Sequence, residues 1–272
     1  MTVEVLSAGA LTTFQDRGRP GLAHVGVSPS GAVDREAYEL GNRLVGNEPG
    51  AVALEATLVG PRLRFREPAL VALVGADAVT VELDAGEVLD VGPFQRGARV
   101  YVCVRGGFRA PAVLGSCSTD ILTGIGPPPL RDGDVLELAD AASGEPFRGD
   151  PPPRELGGEL RLLLGPRADW FTPAALETLG STAWTVTPAA NRVGIRLDGP
   201  ELERARTDEL LSEGVVTGAL QVPPSGRPIL LLDDHPTTGG YPVIGVVRSE
   251  DCSRAAQLRP GDEVRFRVAP DA

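Results

Sequence analysis

Short runs in which apolar and polar residues alternate, each closed by glycine or proline, dominate this chain. Thr80-Val81-Glu82-Leu83 and Arg99-Val100-Tyr101-Val102-Cys103-Val104 show the period of two that a strand with one buried face requires. Pro228-Ile229-Leu230-Leu231-Leu232 is apolar throughout and predicts a strand buried on both faces. Arg62, Arg64 and Arg66 alternate with Leu63 and Phe65, so one face of that strand is basic, as a solvated sheet surface or a subunit contact. Helical spacing is rare. Residues 34–45 place Ala37, Leu40, Leu44 and Val45 on one stripe, with Asp34 as N-cap and Gly46 as stop. Thr172 caps a second helix with Pro173 in its first turn and Gly180 past its end, and Asp251 caps a short third around residues 253–258. The pattern predicts a mainly β protein with a few short helices.

The regular pattern breaks at residues 141–158, where Gly144-Glu145-Pro146-Phe147-Arg148-Gly149-Asp150-Pro151-Pro152-Pro153 supports no regular element. The reading is therefore an N-terminal β domain over 1–142, a Pro/Gly-rich linker over 143–158 and a C-terminal β domain over 159–272. Phrases recur across this divide. Leu130-Arg131-Asp132-Gly133-Asp134-Val135 and Leu258-Arg259-Pro260-Gly261-Asp262-Glu263 both read as a tight Gly-Asp turn feeding a last strand. Asn42-Arg43-Leu44-Val45-Gly46 echoes Asn191-Arg192-Val193-Gly194. A duplicated β domain accounts for these echoes, and so does chance in phrases this short.

Composition narrows the function. With 42% hydrophobic residues but only 4% aromatic, the core must be mostly Val, Leu, Ile and Ala, and 34 Gly with 25 Pro demand frequent turns. A net charge of −11 argues against nucleic acid or an anionic membrane as partner. The chain contains no lysine, which excludes a Schiff-base lysine, a phosphate-loop lysine and a biotinyl-lysine on this polypeptide. Cys103, Cys117 and Cys252 are odd in number and far apart, fitting buried thiols in a reducing compartment rather than disulfides or a zinc site. Without a leader pattern or an apolar run of membrane length, a cytoplasmic location is expected.

Candidate chemistry concentrates in two glycine-punctuated loops, which between them hold both histidines, His24 and His235. The first runs from Gln15-Asp16-Arg17-Gly18-Arg19 to Ser28-Pro29-Ser30-Gly31 and leads into the helix capped by Asp34. Free N–H groups at a helix start suit a carboxylate or phosphate, with Arg17 and Arg19 as planar forks for the same anion. The same residues also describe a well-capped helix. In the second loop, Asp234-His235 precedes Thr237-Thr238-Gly239-Gly240-Tyr241. A histidine oriented by a carboxylate is a candidate general acid or base, and the two glycine amides are candidate oxyanion donors. A Thr/Gly-rich turn with a packed histidine is the alternative. The expectation is a site drawing on residues 15–34 and 233–242. His235, Asp234 and Asp16 are the candidate catalytic groups, and Gln15, Arg19, Ser30, Gly31, Thr237, Thr238, Gly239, Gly240 and Tyr241 would contact substrate. No phosphate loop, dinucleotide fingerprint, nucleophile elbow or metal-ligand spacing is present, and no metal is expected.

Phe14-Gln15-Asp16-Arg17-Gly18-Arg19-Pro20-Gly21, Gly26-Val27-Ser28-Pro29-Ser30-Gly31-Ala32-Val33-Asp34 and Asn42-Arg43-Leu44-Val45-Gly46-Asn47 resemble, in this order, a known family. Glu213-Gly214-Val215-Val216-Thr217-Gly218-Ala219-Leu220-Gln221-Val222-Pro223 and Thr237-Thr238-Gly239-Gly240-Tyr241-Pro242 extend the match. The family contains the C subunit of 5-oxoprolinase, subunit 2 of allophanate hydrolase pairs and the carboxyltransferase region of urea carboxylase. The resemblance implies two tandem cyclophilin-like β-barrel domains and partnership with a subunit-B-like protein. A third subunit would complete ATP-dependent hydrolysis of 5-oxo-L-proline to L-glutamate. ATP would be used by the complex rather than evidently bound by this chain. The alternatives are a carboxyltransferase acting on a small amide or urea, with biotin supplied in trans, and a non-catalytic regulator of a sensor-kinase inhibitor.

Overall fold

The period-two segments become strands. A computed structural model describes residues 1–149, 151 and 153–268; Asp150 and Pro152 of the expected linker, and residues 269–272 of the expected C-terminal domain, lie outside the described residues. The chain divides into two units, one of residues 1–19 and 30–155, the other of residues 20–29 and 156–272.

In the first unit, one five-stranded sheet runs in the order Val88–Asp90, Arg62–Phe65, Thr2–Ser7, Val135–Leu138, Phe108–Arg109. A second runs Thr12–Gln15, Ala53–Thr57, Arg99–Val104, Ala69–Val74, Ala78–Leu83. Leu63 and Phe65 are buried, in a cluster with Val3, Val5, Leu54 and Val102. The alternating arginines face the other way, Arg62 pairing with Asp90 and both Arg64 and Arg66 with Glu4. That face is therefore a charged surface neutralised within its own sheet.

Helix α1, Arg35–Leu44, is set by its cap: Asp34 Oδ1 accepts the Ala37 N–H at 3.0 Å. Its apolar stripe, including Ala37, Leu40 and Leu44, packs with Ala53, Ala72, Val74 and Cys103 of the second sheet. Ser143, Gly144, Phe147 and Arg154 are held to this unit by hydrogen bonds, with the Ser143 and Gly144 amides donating to the Gly46 carbonyl. The Phe147 amide donates to the Leu44 carbonyl, and the Arg154 guanidinium reaches Asp34 Oδ1 at 2.6 Å.

The second unit is a closed barrel in the order Gly158–Leu164, Val243–Val247, Ala219–Gln221, Ile229–Leu231, Gly194–Asp198, Trp184–Val186, Glu263–Val268. Glu263–Val268 returns beside Gly158–Leu164 in parallel, setting Leu160 against Phe266, and every other pairing is antiparallel. Ile229–Leu231 is the apolar strand expected, with Leu230 and Leu231 buried. Helix α2, Pro173–Ser181, starts as expected, its Thr172 Oγ1 accepting the Ala175 N–H at 3.2 Å. Gly180 lies inside its last turn rather than beyond it. Helix α3, Ser249–Ala255, begins four residues earlier than expected, and Asp251 sits in its first turn. The Asp251 carboxylate is drawn instead to the Arg161 guanidinium at 2.7 and 3.0 Å. Among the described residues, no helix is long and apolar enough to cross a membrane.

Candidate functional site

The first loop is organised by one carboxylate. Asp16 follows the strand Thr12–Gln15, and its Oδ1 accepts from the Gly18 amide at 2.8 Å and from the Ser116 and Ser118 hydroxyls at 2.5 and 2.6 Å. Its Oδ2 accepts the Cys117 amide at 2.7 Å. The Asp16 carboxylate thus fixes the hydroxyl-rich segment Ser116-Cys117-Ser118-Thr119-Asp120 against the loop. Burial pushes the Cys117 thiol up, with Asp16 adding to the shift and Arg19 opposing it.

Gln15 and Arg19 reach the same segment. Gln15 Nε2 donates to Thr13 Oγ1 and to the Thr119 carbonyl, both at 3.0 Å. Arg19 Nη2 donates to the Ser118 carbonyl at 2.5 Å. Ser30 Oγ also donates to the Thr119 carbonyl, at 3.2 Å, from a residue held at φ +49°, where non-glycine residues are strained. Gly31, at φ +92°, passes so close to Gly18 that a Cβ would lie 2.8 Å from the Gly18 nitrogen. Of the sequence candidates, Gln15, Asp16, Arg19, Ser30 and Gly31 therefore form one cluster. Sequence reasoning missed Ser116, Ser118 and Thr119. Their signal was present: a run of hydroxyls between Gly115 and Gly124 that fits neither strand nor helix.

The start of α1 is occupied by the protein's own anions. Besides Asp34, Glu55 Oε2 accepts the Val33 amide at 3.2 Å and the Tyr101 hydroxyl at 2.5 Å. The Tyr101 oxygen in turn accepts the Asp34 amide at 2.9 Å. The exogenous anion expected there would meet two carboxylates.

The second loop is built around a buried ion pair. Arg192 Nε and Nη2 donate to the two oxygens of Asp234 at 2.8 and 2.9 Å, with both side chains essentially inaccessible. His235 is buried, and its Nδ1 lies 2.7 Å from the Pro236 carbonyl, which can only accept, so Nδ1 carries a hydrogen. Thr238 and Gly239 pair with Gly214 and Glu213 in a two-stranded ribbon, and the Thr237 carbonyl accepts the Val215 amide. Gly240 follows this ribbon, and Tyr241 is 44% exposed while its carbonyl accepts from Gln221 Nε2 at 3.2 Å. Burial holds the nearby Arg204 guanidinium below its ordinary range. Among the described residues, no group of three or more His, Cys, Asp or Glu side chains could hold a metal.

Residues 25–268 match the family described as carboxyltransferase domain, subdomain A and B. The chain belongs to this family. It is 36% identical over 279 residues to the 5-oxoprolinase C subunit of Escherichia coli, covering 97% of this chain and 90% of that one. It is 32% identical to the urea amidolyase of Lachancea kluyveri over 97% of its own length, but spans only 17% of that larger protein. The crystal structure of K. lactis urea amidolyase superposes with a TM-score of 0.90 at 30% identity, over 99% of this chain and 19% of that one. Carboxyltransferase-type relatives are thus found both as separate subunits and as segments of large enzymes.

Proposed function

We propose that this protein is the C subunit of an ATP-dependent 5-oxoprolinase, working with a subunit-B-like partner and a third subunit to hydrolyse 5-oxo-L-proline to L-glutamate. The observation that carries the reading is identity along the whole length of a separate subunit: 97% of this chain aligns with 90% of the E. coli 5-oxoprolinase C subunit. A lactam carbonyl is a poor electrophile, so its opening needs activation elsewhere in the complex together with tight orientation of the ring. The first loop supplies orientation through Gln15, Arg19, Ser30 and Gly31. Within the second unit, taken by itself, His235 is the proposed acid–base group, its loop braced by Asp234 through Arg192, with residues 237–241 as that loop's proposed ligand contacts. Asp16 acts by fixing the 116–119 segment. A nucleotide does not fit the start of α1, where its phosphates would face Asp34 and Glu55. ATP therefore belongs to the partner subunits in this reading, and no step on this chain is routed through it. The compartment is the cytoplasm.

The second reading is a carboxyltransferase subunit acting on urea or a small amide, favoured by the urea amidolyase relatives. Biotin would then arrive on another polypeptide, since this chain has no lysine to carry it. Co-expression with the products of adjacent reading frames, followed by assay of ATP hydrolysis that depends on 5-oxo-L-proline, separates the two. The expected outcome is 5-oxoproline-dependent turnover releasing glutamate. Turnover that instead requires biotin and urea would replace the first reading with the second.

A further inference from the structure

Among the described residues of the first unit, the buried atoms Gln15 Oε1, Arg19 Nη1 and Thr119 Oγ1 have no hydrogen-bond partner. The side chains that carry them meet at one stretch of backbone, because Gln15 Nε2 donates to the Thr119 carbonyl and Arg19 Nη2 to the adjoining Ser118 carbonyl. Leaving one such group unsatisfied is costly, and more so when the group is charged. Arg19 is only 2% exposed, and no carboxylate lies within ion-pair distance of it among the described residues. A buried guanidinium bonded to carbonyls alone is a cation awaiting an anion.

A cavity of about 470 Å³ adjoins this cluster, lined by Thr119, Asp120, Gly124 and Gly126 with Leu11, Ile121 and the run Pro127–Pro129. The Asp120 carboxylate in this wall accepts from the Leu122 and Thr123 amides and the Thr123 hydroxyl. Gly126 is the thin part of the wall. At φ +93° a Cβ there would lie 2.1 Å from the Ser118 carbonyl oxygen and 3.3 Å from Arg19 Nη2, so only glycine lets the guanidinium come this near the cavity.

We propose that Gln15, Arg19 and Thr119 form the recognition end of a pocket for a small ligand carrying a carboxylate beside an N–H group. The fixed cation of Arg19 requires the anion. Gln15 Nε2 faces a carbonyl that can only accept, so Oε1 is the atom left over, and it requires a donor from the ligand. The Thr119 hydroxyl serves either partner, and the proline and leucine walls fit a short apolar frame between the two groups. The pocket deepens the 5-oxoprolinase reading, on which the choice of 5-oxo-L-proline as a probe rests.

The test is calorimetric titration of the full chain, in complex with its co-expressed partners, with 5-oxo-L-proline, its carboxamide and N-acetylglycine. Wild type is expected to bind at least one of the two carboxylates, and the carboxamide at least tenfold more weakly. Arg19→Gln should weaken binding further, but it also takes the donor from the Ser118 carbonyl, so Thr119→Val is the deciding variant. It replaces an unpartnered hydroxyl by a methyl of similar shape, so the melting temperature should not fall while affinity falls about tenfold. Wild-type affinity in Thr119→Val, equal binding of the carboxamide, or binding of neither carboxylate would overturn the pocket. Glutamate release by a complex that shows any of these defeats the pocket and leaves the function standing. Carboxylate binding lost in Thr119→Val, without turnover of 5-oxo-L-proline, does the reverse.

Discussion

The two polar loops differ in how completely the protein satisfies them. Around residues 232–241 the ionic groups are committed: Asp234 receives both arms of Arg192, and His235 Nδ1 is taken by the Pro236 carbonyl. Around residues 15–31 the Asp16 carboxylate is likewise engaged by four donors, yet Gln15, Arg19 and Thr119 each keep a buried atom unpartnered. The first loop has reactive capacity left for a ligand. The second is braced by a buried ion pair. Residue types of similar reactivity thus serve different ends, and the hydrogen-bond inventory separates them where composition does not.

The largest expected effect tests this contrast directly. Arg192→Met strips Asp234 of its counter-charge in a buried site and should destabilise the second unit by about 3–5 kcal/mol. Arg19→Met removes a cation without a carboxylate partner. It should cost the first unit no more than about 1–2 kcal/mol, the worth of its hydrogen bonds to backbone carbonyls. Both tryptophans, Trp170 and Trp184, lie in the second unit, so their fluorescence during denaturant titration follows that unit. Hydrogen exchange of the Arg99–Val104 amides follows the other. Equal losses in the two variants would erase the distinction drawn between the loops.

A smaller effect on stability, but a large one on turnover, is expected at His235. In the reconstituted complex His235→Ala should lower turnover by about 10²–10⁴, the usual contribution of a general acid or base, while the subunits still co-purify. Full activity in that variant would remove His235 from the reaction and leave the second loop a structural element.

Much of the fold is legible in the sequence, and the exceptions share a cause. Alternation marks the strands, and the caps Asp34 and Thr172 mark two helix starts, because both are local signals acting over three or four residues. The Gly-Asp turns are legible for the same reason. Gly133 and Gly261 both have φ near +90°, and the Arg131 and Arg259 amides donate to Asp134 and Asp262 Oδ2, each at 2.8 Å. The Asn-Arg echo is not a structural one. Asn42 lies in α1 and bonds to Ala51 and Asn47, whereas Asn191 caps a turn through the Val193 and Gly194 amides. What sequence does not supply is partner choice at long range. Asp234 is 42 residues from Arg192, and Asp16 is about a hundred from Ser116 and Ser118, with the same residue types available nearby. Asp251 reads as a cap for that reason, since its true partner Arg161 lies 90 residues away.

Asp251 also provides the mildest test of what commitment of a carboxylate means. Burial alone would raise its pKa. Against that, the Arg161 side chain and amide and the Arg254 guanidinium, 2.8 Å away, favour the charged form and bring it from 3.8 down to about 2. A carboxylate whose folded pKa is depressed stabilises the fold fully above its unfolded value and loses that contribution as pH falls through the folded one. Wild type should therefore lose stability in the second unit, read by tryptophan fluorescence, between about pH 4 and pH 2. Asp251→Asn should be less stable at neutral pH and show a shallower decline across that window, because the amide does not titrate. An acid transition of unchanged steepness in Asp251→Asn would mean that other carboxylates govern it. The ion pair with Arg161 would then be a geometric contact with little energetic weight.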